Sequence, residues 1–99
     1  MLSIENLRAY CKNDTIMLTE HVLTRMRQRS IRLEDIKYAI LNGEIIEQYP
    51  SDYPFPSCLI NSGGMHIVCS LGDGLIYIIT AYRPSPEKWD TEGRKRKGV

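Results

Sequence analysis

Three side chains suited to phosphate chemistry recur at intervals of four residues: His21, Arg25 and Arg29. On a helix, residues four apart lie above one another, so these side chains would form one slanted stripe. Guanidinium groups bind phosphate oxygens at two points, and an imidazole exchanges protons near neutral pH. The stripe therefore indicates a phosphate cradle with a titratable group at one end. The alternative is a solvated helix face whose arginines pair with nearby acidic side chains.

A second histidine, His66, lies in a segment that is predicted to form a strand. The next strand carries Thr80 and Tyr82 on one face, and the turn between the strands decides which residue lies opposite His66. A three-residue loop at 72–74 puts His66 opposite Thr80, whereas a two-residue loop puts it opposite Ala81. We favour the first register because it brings His66, Thr80 and Tyr82 together. The alternative is a histidine with a structural role.

The segment 49–58, Y-P-S-D-Y-P-F-P-S-C, combines prolines with aromatic residues and is predicted to form a stiff loop. Exposed aromatic rings on a stiff loop suit stacking on unpaired bases, and Tyr53 is the candidate for that role. The alternative is a proline-braced crossover whose rings cover the edge of the sheet. Further along, Trp89 is predicted to pack the C-terminal segment onto the body of the protein.

The elements that must position these residues change their period halfway along the chain. Apolar residues first recur at helical spacing and then cluster in short runs separated by glycine and proline. Helices are predicted over residues 4–11, 20–29 and 33–42, and strands over residues 44–49, 57–61, 65–71 and 75–82. Helices followed by turn-linked strands predict an α+β fold, with the N-terminal helices packed on a four-stranded antiparallel sheet.

Length and composition limit the classes of protein. The 99 residues predict a single domain over residues 1–99, with a flexible basic tail from about residue 91. The core of so short a chain leaves no room for a large cavity, so a small-molecule ligand is not expected. No apolar stretch approaches the roughly 20 residues of a membrane span, and residues 1–5 do not resemble a signal peptide. We therefore predict a cytoplasmic protein with no membrane partner.

Positive charge is clustered although the net charge is only +1. Residues 25–32 contain four arginines and no acidic residue, and residues 94–97 read R-K-R-K. Two basic clusters on a nearly neutral chain indicate a local anion site, although the tail alone could be a frayed terminus. The three cysteines form no C-x-x-C pair, which fits free thiols in a reducing compartment. Neither a metal nor another cofactor is predicted.

The ordered set of motifs resembles a known family. Its helical half comprises H-x3-R-x3-R-x-I from His21 and G-E-I-I-E from Gly43. Its sheet half comprises Y-P-x-D-x-P-x-P-S-C-L from Tyr49 and I-I-T-A-Y-x-P from Ile78. Across residues 15–90, this set is similar to a family of small domains related to the BrnT- and RelE-like toxins of toxin–antitoxin pairs.

The resemblance implies a fold of the barnase/colicin/RelE type, and the toxin of a type II toxin–antitoxin pair. It implies an endoribonuclease of the mRNA interferase type, which cleaves RNA without a metal or other cofactor. It also implies a cognate antitoxin, for which an MqsA-like zinc-finger protein is a candidate. The chain lacks the dense lysine–arginine sheet of ribosome-dependent RelE enzymes, which argues against ribosome-dependent cleavage.

The resemblance and the chemistry of the side chains together assign the site residues. The catalytic candidates are two histidines, as acid and base, and two hydroxyl residues that position the scissile group: His21, His66, Thr80 and Tyr82. Arg25 and Arg29 are the phosphate-binding candidates, Tyr53 is the base-stacking candidate, and no metal ligand is assigned. Two other interpretations are open, because one fold serves several functions: a non-catalytic RNA- or protein-binding module, and a toxin that targets a protein. Histidines that lie far apart or in the core would favour the module.

Overall fold

The computed structural model describes residues 1–12, 15–90 and 93–96. Three helices are followed by four strands, and one short strand lies between the first two helices. The helices are α1 (Ile4–Lys12), α2 (Glu20–Gln28) and α3 (Leu33–Asn42), and the strands are β1 (Ile16–Met17), β2 (Glu44–Tyr49), β3 (Ser57–Ser62), β4 (Met65–Gly72) and β5 (Leu75–Tyr82). The predicted α+β class is confirmed. None of the described helices is long and apolar enough to cross a membrane.

The strands form one five-stranded sheet in the order β1-β5-β4-β3-β2. The four longer strands pair antiparallel with their neighbours, whereas β1 pairs parallel with β5. The sheet is therefore mixed, and the prediction of four antiparallel strands missed one strand. Two residues are too few to show a period in the sequence. Strand β1 forms because residue 15 reaches the edge of β5, where the N–H of Ile76 donates to the carbonyl of Thr15 at 2.8 Å.

The turn between β4 and β5 is the shorter of the two that the sequence allowed. Gly72 pairs with Leu75, so the loop consists of Asp73 and Gly74 alone. Both loop residues have positive φ, 53° and 77°, as a type I′ turn requires. The three-residue loop that we favoured is therefore wrong.

A bulge in β5 changes the register once more. Cys69 pairs with Ile78 but Val68 pairs with Thr80, so one residue of β5 has no partner on β4. Beyond the bulge His66 lies opposite Tyr82, so its partner is neither of the two residues that were expected, Thr80 or Ala81. A bulge in an apolar strand leaves no local trace in the sequence, since only tertiary packing selects it.

The core lies between the helices and one face of the sheet. Its buried members are mostly aliphatic and come from every helix and from the central strands, including Leu7, Val22, Met26, Ile36, Ile40, Ile60, Ile67, Ile76 and Ile78. Side chains alternate along a strand, and the bulge at Ile79 shifts this alternation by one residue. Tyr77 and Tyr82 therefore both lie on the face opposite the buried side chains of β5, Ile76, Ile78 and Ala81. The sheet therefore has a second face, which the helices do not cover.

Helix α2 has a defined beginning and end. The hydroxyl of Thr19 accepts the N–H of Val22 at 3.1 Å, so the helix begins at Glu20. It ends where Ser30 adopts φ 55° and the N–H of Ile31 donates to the carbonyl five residues earlier at 2.8 Å. This ending places Arg29, the last residue of the predicted stripe, beside β5.

The C-terminal segment, residues 84–90 and 93–96, folds back over the second face of the sheet. Trp89 is buried and bridges to Arg96, as its predicted packing role requires. Arg94 pairs with Glu44, and Arg96 pairs with Glu47, both on β2. Residues 91, 92 and 97–99 of the predicted tail lie outside the described residues, so its flexibility stays a prediction.

Candidate functional site

The predicted stripe lines a groove between α2 and β5, which we call the helix groove. Its volume is about 260 Å³, and its lining comprises His21, Val22, Arg25, Arg29, Ile79, Thr80 and Ala81. Four residues singled out from the sequence thus share one groove: His21, Arg25, Arg29 and Thr80. The spacing of the stripe indicated the helix face that lines the groove, and the bulge in β5 places Thr80 at the edge of this groove.

Arg29 is anchored at the inner end of the helix groove. Its Nη1 donates to the carbonyl of Ala81 at 2.9 Å and lies 3.4 Å from the hydroxyl of Thr80. Its own carbonyl accepts a hydrogen bond from Arg83 Nη1 at 2.6 Å. No ion pair within the described part of the chain involves Arg29. Its guanidinium is therefore held in position with its charge available to an anion.

The outer end of the helix groove is open to water. His21 and Arg25 are exposed, and among the described residues Arg25 donates only to the amide oxygen of Gln28, at 3.3 Å. An exposed imidazole beside two guanidinium groups can exchange a proton with a bound anion. The groove therefore combines a proton-exchanging group with fixed positive charge.

A second groove adjoins the first at Arg29 and runs beside the C-terminal segment, and we call it the tail groove. Its volume is about 570 Å³, and its lining comprises Arg29, Tyr82, Arg83, Ser85, Lys88, Trp89 and Arg96. Four of these residues are cations and none is acidic. The guanidinium of Arg96 lies over the Trp89 ring, 4.6 Å from its centroid, and pairs with Glu47 at 2.8 Å. The lining of this groove is therefore strongly basic.

His66 lies beneath the tail groove and is completely buried. Its Nε2 is 2.6 Å from the carbonyl of Gly93, and a carbonyl only accepts, so Nε2 carries a proton. In the neutral imidazole, Nδ1 then accepts the hydroxyl of Tyr82 at 3.3 Å. The Trp89 ring packs edge-on against the imidazole, with 4.4 Å between the centroids. Both nitrogens of His66 are thus engaged within the protein.

Tyr82 connects His66 to the tail groove. Burial raises the pKa of the Tyr82 phenol above its ordinary value, so the hydroxyl stays protonated at neutral pH. The predicted proximity of His66 and Tyr82 is confirmed, and of these two residues it is Tyr82 that lines the tail groove. His21 lines the helix groove whereas His66 is buried and lines neither of the two grooves, and Arg29 lines both of them.

Sequence reasoning missed a carboxylate behind the tail groove. Glu47 accepts hydrogen bonds from Arg96, which hold the pKa of its carboxyl below the ordinary value, and from the Tyr49 hydroxyl. Burial and the bond to Glu47 raise the pKa of Tyr49 to about 12. The alternation of β2 could have placed Glu47 and Tyr49 on one face, but nothing local indicated their basic partner.

A third concave surface, the aromatic cleft, lies between the 50–56 loop and β5. Its volume is about 470 Å³, and its lining comprises Asp52, Tyr53, Pro54, Phe55, Ser70, Tyr77 and Ile79. Phe55 stacks on Tyr77, with 5.9 Å between the centroids. Tyr53 is 95% exposed. Phe55 thus covers the sheet, whereas the Tyr53 ring is accessible to a ligand.

Across residues 1–12, 15–90 and 93–96, no three histidine, cysteine or acidic side chains converge to hold a metal ion. The three cysteines are buried and form no disulfide within the described residues, and Cys58 lies opposite Cys69 on the neighbouring strand.

The fold and the grooves define an α+β domain whose open surfaces suit an anionic ligand. The chain belongs to the family described as a domain of unknown function, DUF4258, whose model matches residues 18–83. The match includes the whole helix groove, whereas Ser85, Lys88, Trp89 and Arg96 of the tail groove lie outside it. Comparisons with curated proteins and with solved structures give no match.

Proposed function

We propose that this protein binds RNA in the helix and tail grooves and cleaves it without a metal ion. We further propose that it is the toxin of a type II toxin–antitoxin pair, with a fold related to BrnT and RelE, acting on mRNA in the cytoplasm. The observation that carries the proposal is the helix groove, where His21, Arg25 and Arg29 meet Thr80. The motif resemblance described above is its second support.

The chemistry of such cleavage has defined requirements. The 2′-hydroxyl loses its proton and attacks phosphorus, and the departing 5′-oxygen gains a proton, which leaves a 2′,3′-cyclic phosphate and a 5′-hydroxyl. An exposed imidazole is suited to one proton transfer, so His21 is the group we assign to it. Arg25 and Arg29 would hold the phosphate oxygens and stabilise the charge that develops on them.

His66 and Tyr82 take different roles in this proposal. Tyr82, which stays protonated and lines the tail groove, would donate a hydrogen bond to the phosphate, and water would supply the proton that the departing 5′-oxygen gains. His66 would act as a positioning residue, because its Nδ1 fixes the orientation of the Tyr82 hydroxyl. Thr80 would position the scissile group beside Arg29.

A toxin requires a partner that neutralises it. Basic grooves are complementary to an acidic protein segment as well as to RNA. We propose that the cognate antitoxin, for which an MqsA-like zinc-finger protein is the candidate, covers the arginine stripe of the helix groove.

Metal-free RNA cleavage tests the proposal with a matched pair of arginine variants. Purified protein is incubated with RNA in the presence of a metal chelator, beside Arg29→Gln and Arg27→Gln. Arg27 is exposed on the same helix but does not line the grooves. We expect cleavage by the parent and by Arg27→Gln, and a loss of about a hundredfold for Arg29→Gln. Equal cleavage by both variants, or none by the parent, would contradict the proposal.

A second function is favoured by one observation, the complete burial of His66 under the C-terminal segment. A non-catalytic RNA- or protein-binding module would use the same basic grooves with both histidines in structural or binding roles. Binding of RNA that depends on Arg29 but is not followed by cleavage would support this module instead of the nuclease.

A further inference from the structure

The three concave surfaces form one track along β5. The aromatic cleft and the helix groove share Ile79, and the helix groove and the tail groove share Arg29. The track therefore follows β5 from Tyr77 to Tyr82, a span of about 17 Å at roughly 3.3 Å per residue.

The chemistry of the track changes from one end to the other. Rings and aliphatic groups dominate the aromatic cleft, whose lining contains no lysine or arginine. Fixed positive charge then follows: Arg25 and Arg29 in the helix groove, and Arg83, Lys88 and Arg96 in the tail groove. A nucleic-acid strand with one base turned out presents an apolar ring followed by a charged backbone. The track complements both parts, because its aromatic cleft continues into a row of cations. A duplex keeps its bases stacked inside and could offer this track only its phosphates.

Contacts within the protein fix the shape of the aromatic cleft. Phe55 packs against Gly72, where an added Cβ would meet its ring at 2.4 Å, so a side chain at this position would displace the ring. The hydroxyl of Ser57 donates to the carboxylate of Asp52, which ties the two sides of the loop together. Tyr53 is fully displayed on this braced loop, and the side chain of Ile79 is half exposed beside it. A base that enters the cleft would bury these apolar surfaces.

We propose that the track is a binding site for single-stranded RNA, in which an unpaired base enters the aromatic cleft beside Tyr53. The phosphates that follow this base lie in the helix groove and the tail groove. This inference rests on the proposed function and narrows its substrate class to single strands.

Fluorescence anisotropy with uncleavable RNA tests the site independently of catalysis. The probes are a short labelled single strand whose 2′-hydroxyls are methylated and the same sequence in a duplex. We expect the single strand to bind about tenfold more tightly than the duplex. We expect Tyr53→Ala to weaken single-strand binding by about fivefold to a hundredfold, the range for one base–aromatic stack, and Tyr53→Phe to bind as the parent does.

Tyr38→Ala is the matched control, because Tyr38 is an exposed tyrosine on α3 that does not line the track. Equal binding by Tyr53→Ala and Tyr38→Ala would overturn the base site, and equal affinity for single strand and duplex would overturn the preference for single strands. Tighter binding of single-stranded DNA would overturn RNA as the ligand. Loss of the base site or of the preference for single strands would leave metal-free cleavage untouched, whereas single-strand binding without cleavage would support the site and overturn the nuclease.

Discussion

The two histidines of the chain lie in opposite surroundings. His21 is exposed at the open end of the helix groove, beside two arginines. His66 is completely buried beneath the C-terminal segment, and both of its ring nitrogens are engaged, by Gly93 and by Tyr82. One residue type thus occupies two environments that suit different roles. An open imidazole can exchange a proton with a ligand, whereas an enclosed one holds its neighbours in place.

The two surroundings also differ in how they are built. The helix groove is formed by α2 and β5, both inside the residues that the DUF4258 model matches. The cover over His66 comes from Trp89 and Gly93, which lie beyond the matched residues. A substitution at His66 should therefore change the stability of the fold and the attachment of the C-terminal segment. A substitution at His21 should instead change how the protein interacts with its ligand.

The largest expected effect on stability is that of His66→Ala. The change leaves a cavity and deprives the Gly93 carbonyl and the Tyr82 hydroxyl of a partner, so the free energy of unfolding should fall by about 3 kcal/mol. Urea unfolding measures this loss. The control, His21→Ala, should change the free energy by less than about 0.5 kcal/mol. Similar losses for the two variants would remove the distinction between the histidines.

Trp89→Ala should have the next largest effect, a loss of about 2 kcal/mol. A buried tryptophan in a core would cost more, but the C-terminal segment can detach locally and limit the loss. Detachment would uncover His66. In the parent we expect diethyl pyrocarbonate to modify His21 but not His66, and in Trp89→Ala to modify both, as mass spectrometry of the peptides would show. An unreactive His66 in the variant would mean that Trp89 does not hold the C-terminal segment over His66.

The smallest effect concerns the ion pair that fastens the segment to β2. Arg96 holds the pKa of Glu47 below its ordinary value, so the carboxylate contributes stability fully above about pH 4.5 and loses it as the pH falls through the lowered pKa. Glu47→Gln should therefore cost at most about 1 kcal/mol at neutral pH, and the difference from the parent should shrink in acid.

The control for this pH dependence is Glu34→Gln, because Glu34 pairs with Arg32 where both side chains are about 70% exposed. Its effect should be close to zero at every pH. A difference between Glu47→Gln and the parent that persists unchanged in acid would show that the carboxylate charge is not what fastens the segment.

Much of the fold could be predicted because its signals are local. The bounds of α3 and β2 follow from Gly43, which ends a helical period and begins an alternating one. Thr19 marked the start of α2, and its hydroxyl does cap that helix. The stripe on α2 was visible because a helix imposes a fixed spacing on the residues of one face.

The features that the sequence did not predict depend on contacts between segments that are far apart along the chain. The bulge at Ile79 sets the partner of His66, and its position within an apolar strand is determined by tertiary packing. The burial of His66 depends on Trp89 and Gly93, which are more than twenty residues away along the chain. Arg96 belonged to a run whose composition resembles a frayed terminus, and only its bond to Glu47 reveals its place in the tail groove.

RNA cleavage by His21→Asn and His66→Asn, in a metal chelator and under conditions where both variants are folded, tests the central claim most directly. We expect the parent to cleave, His21→Asn to lose about a hundredfold or more, and His66→Asn to retain more activity than His21→Asn because its effect is indirect. Cleavage by His21→Asn at the rate of the parent, or no cleavage by the parent, would contradict the account.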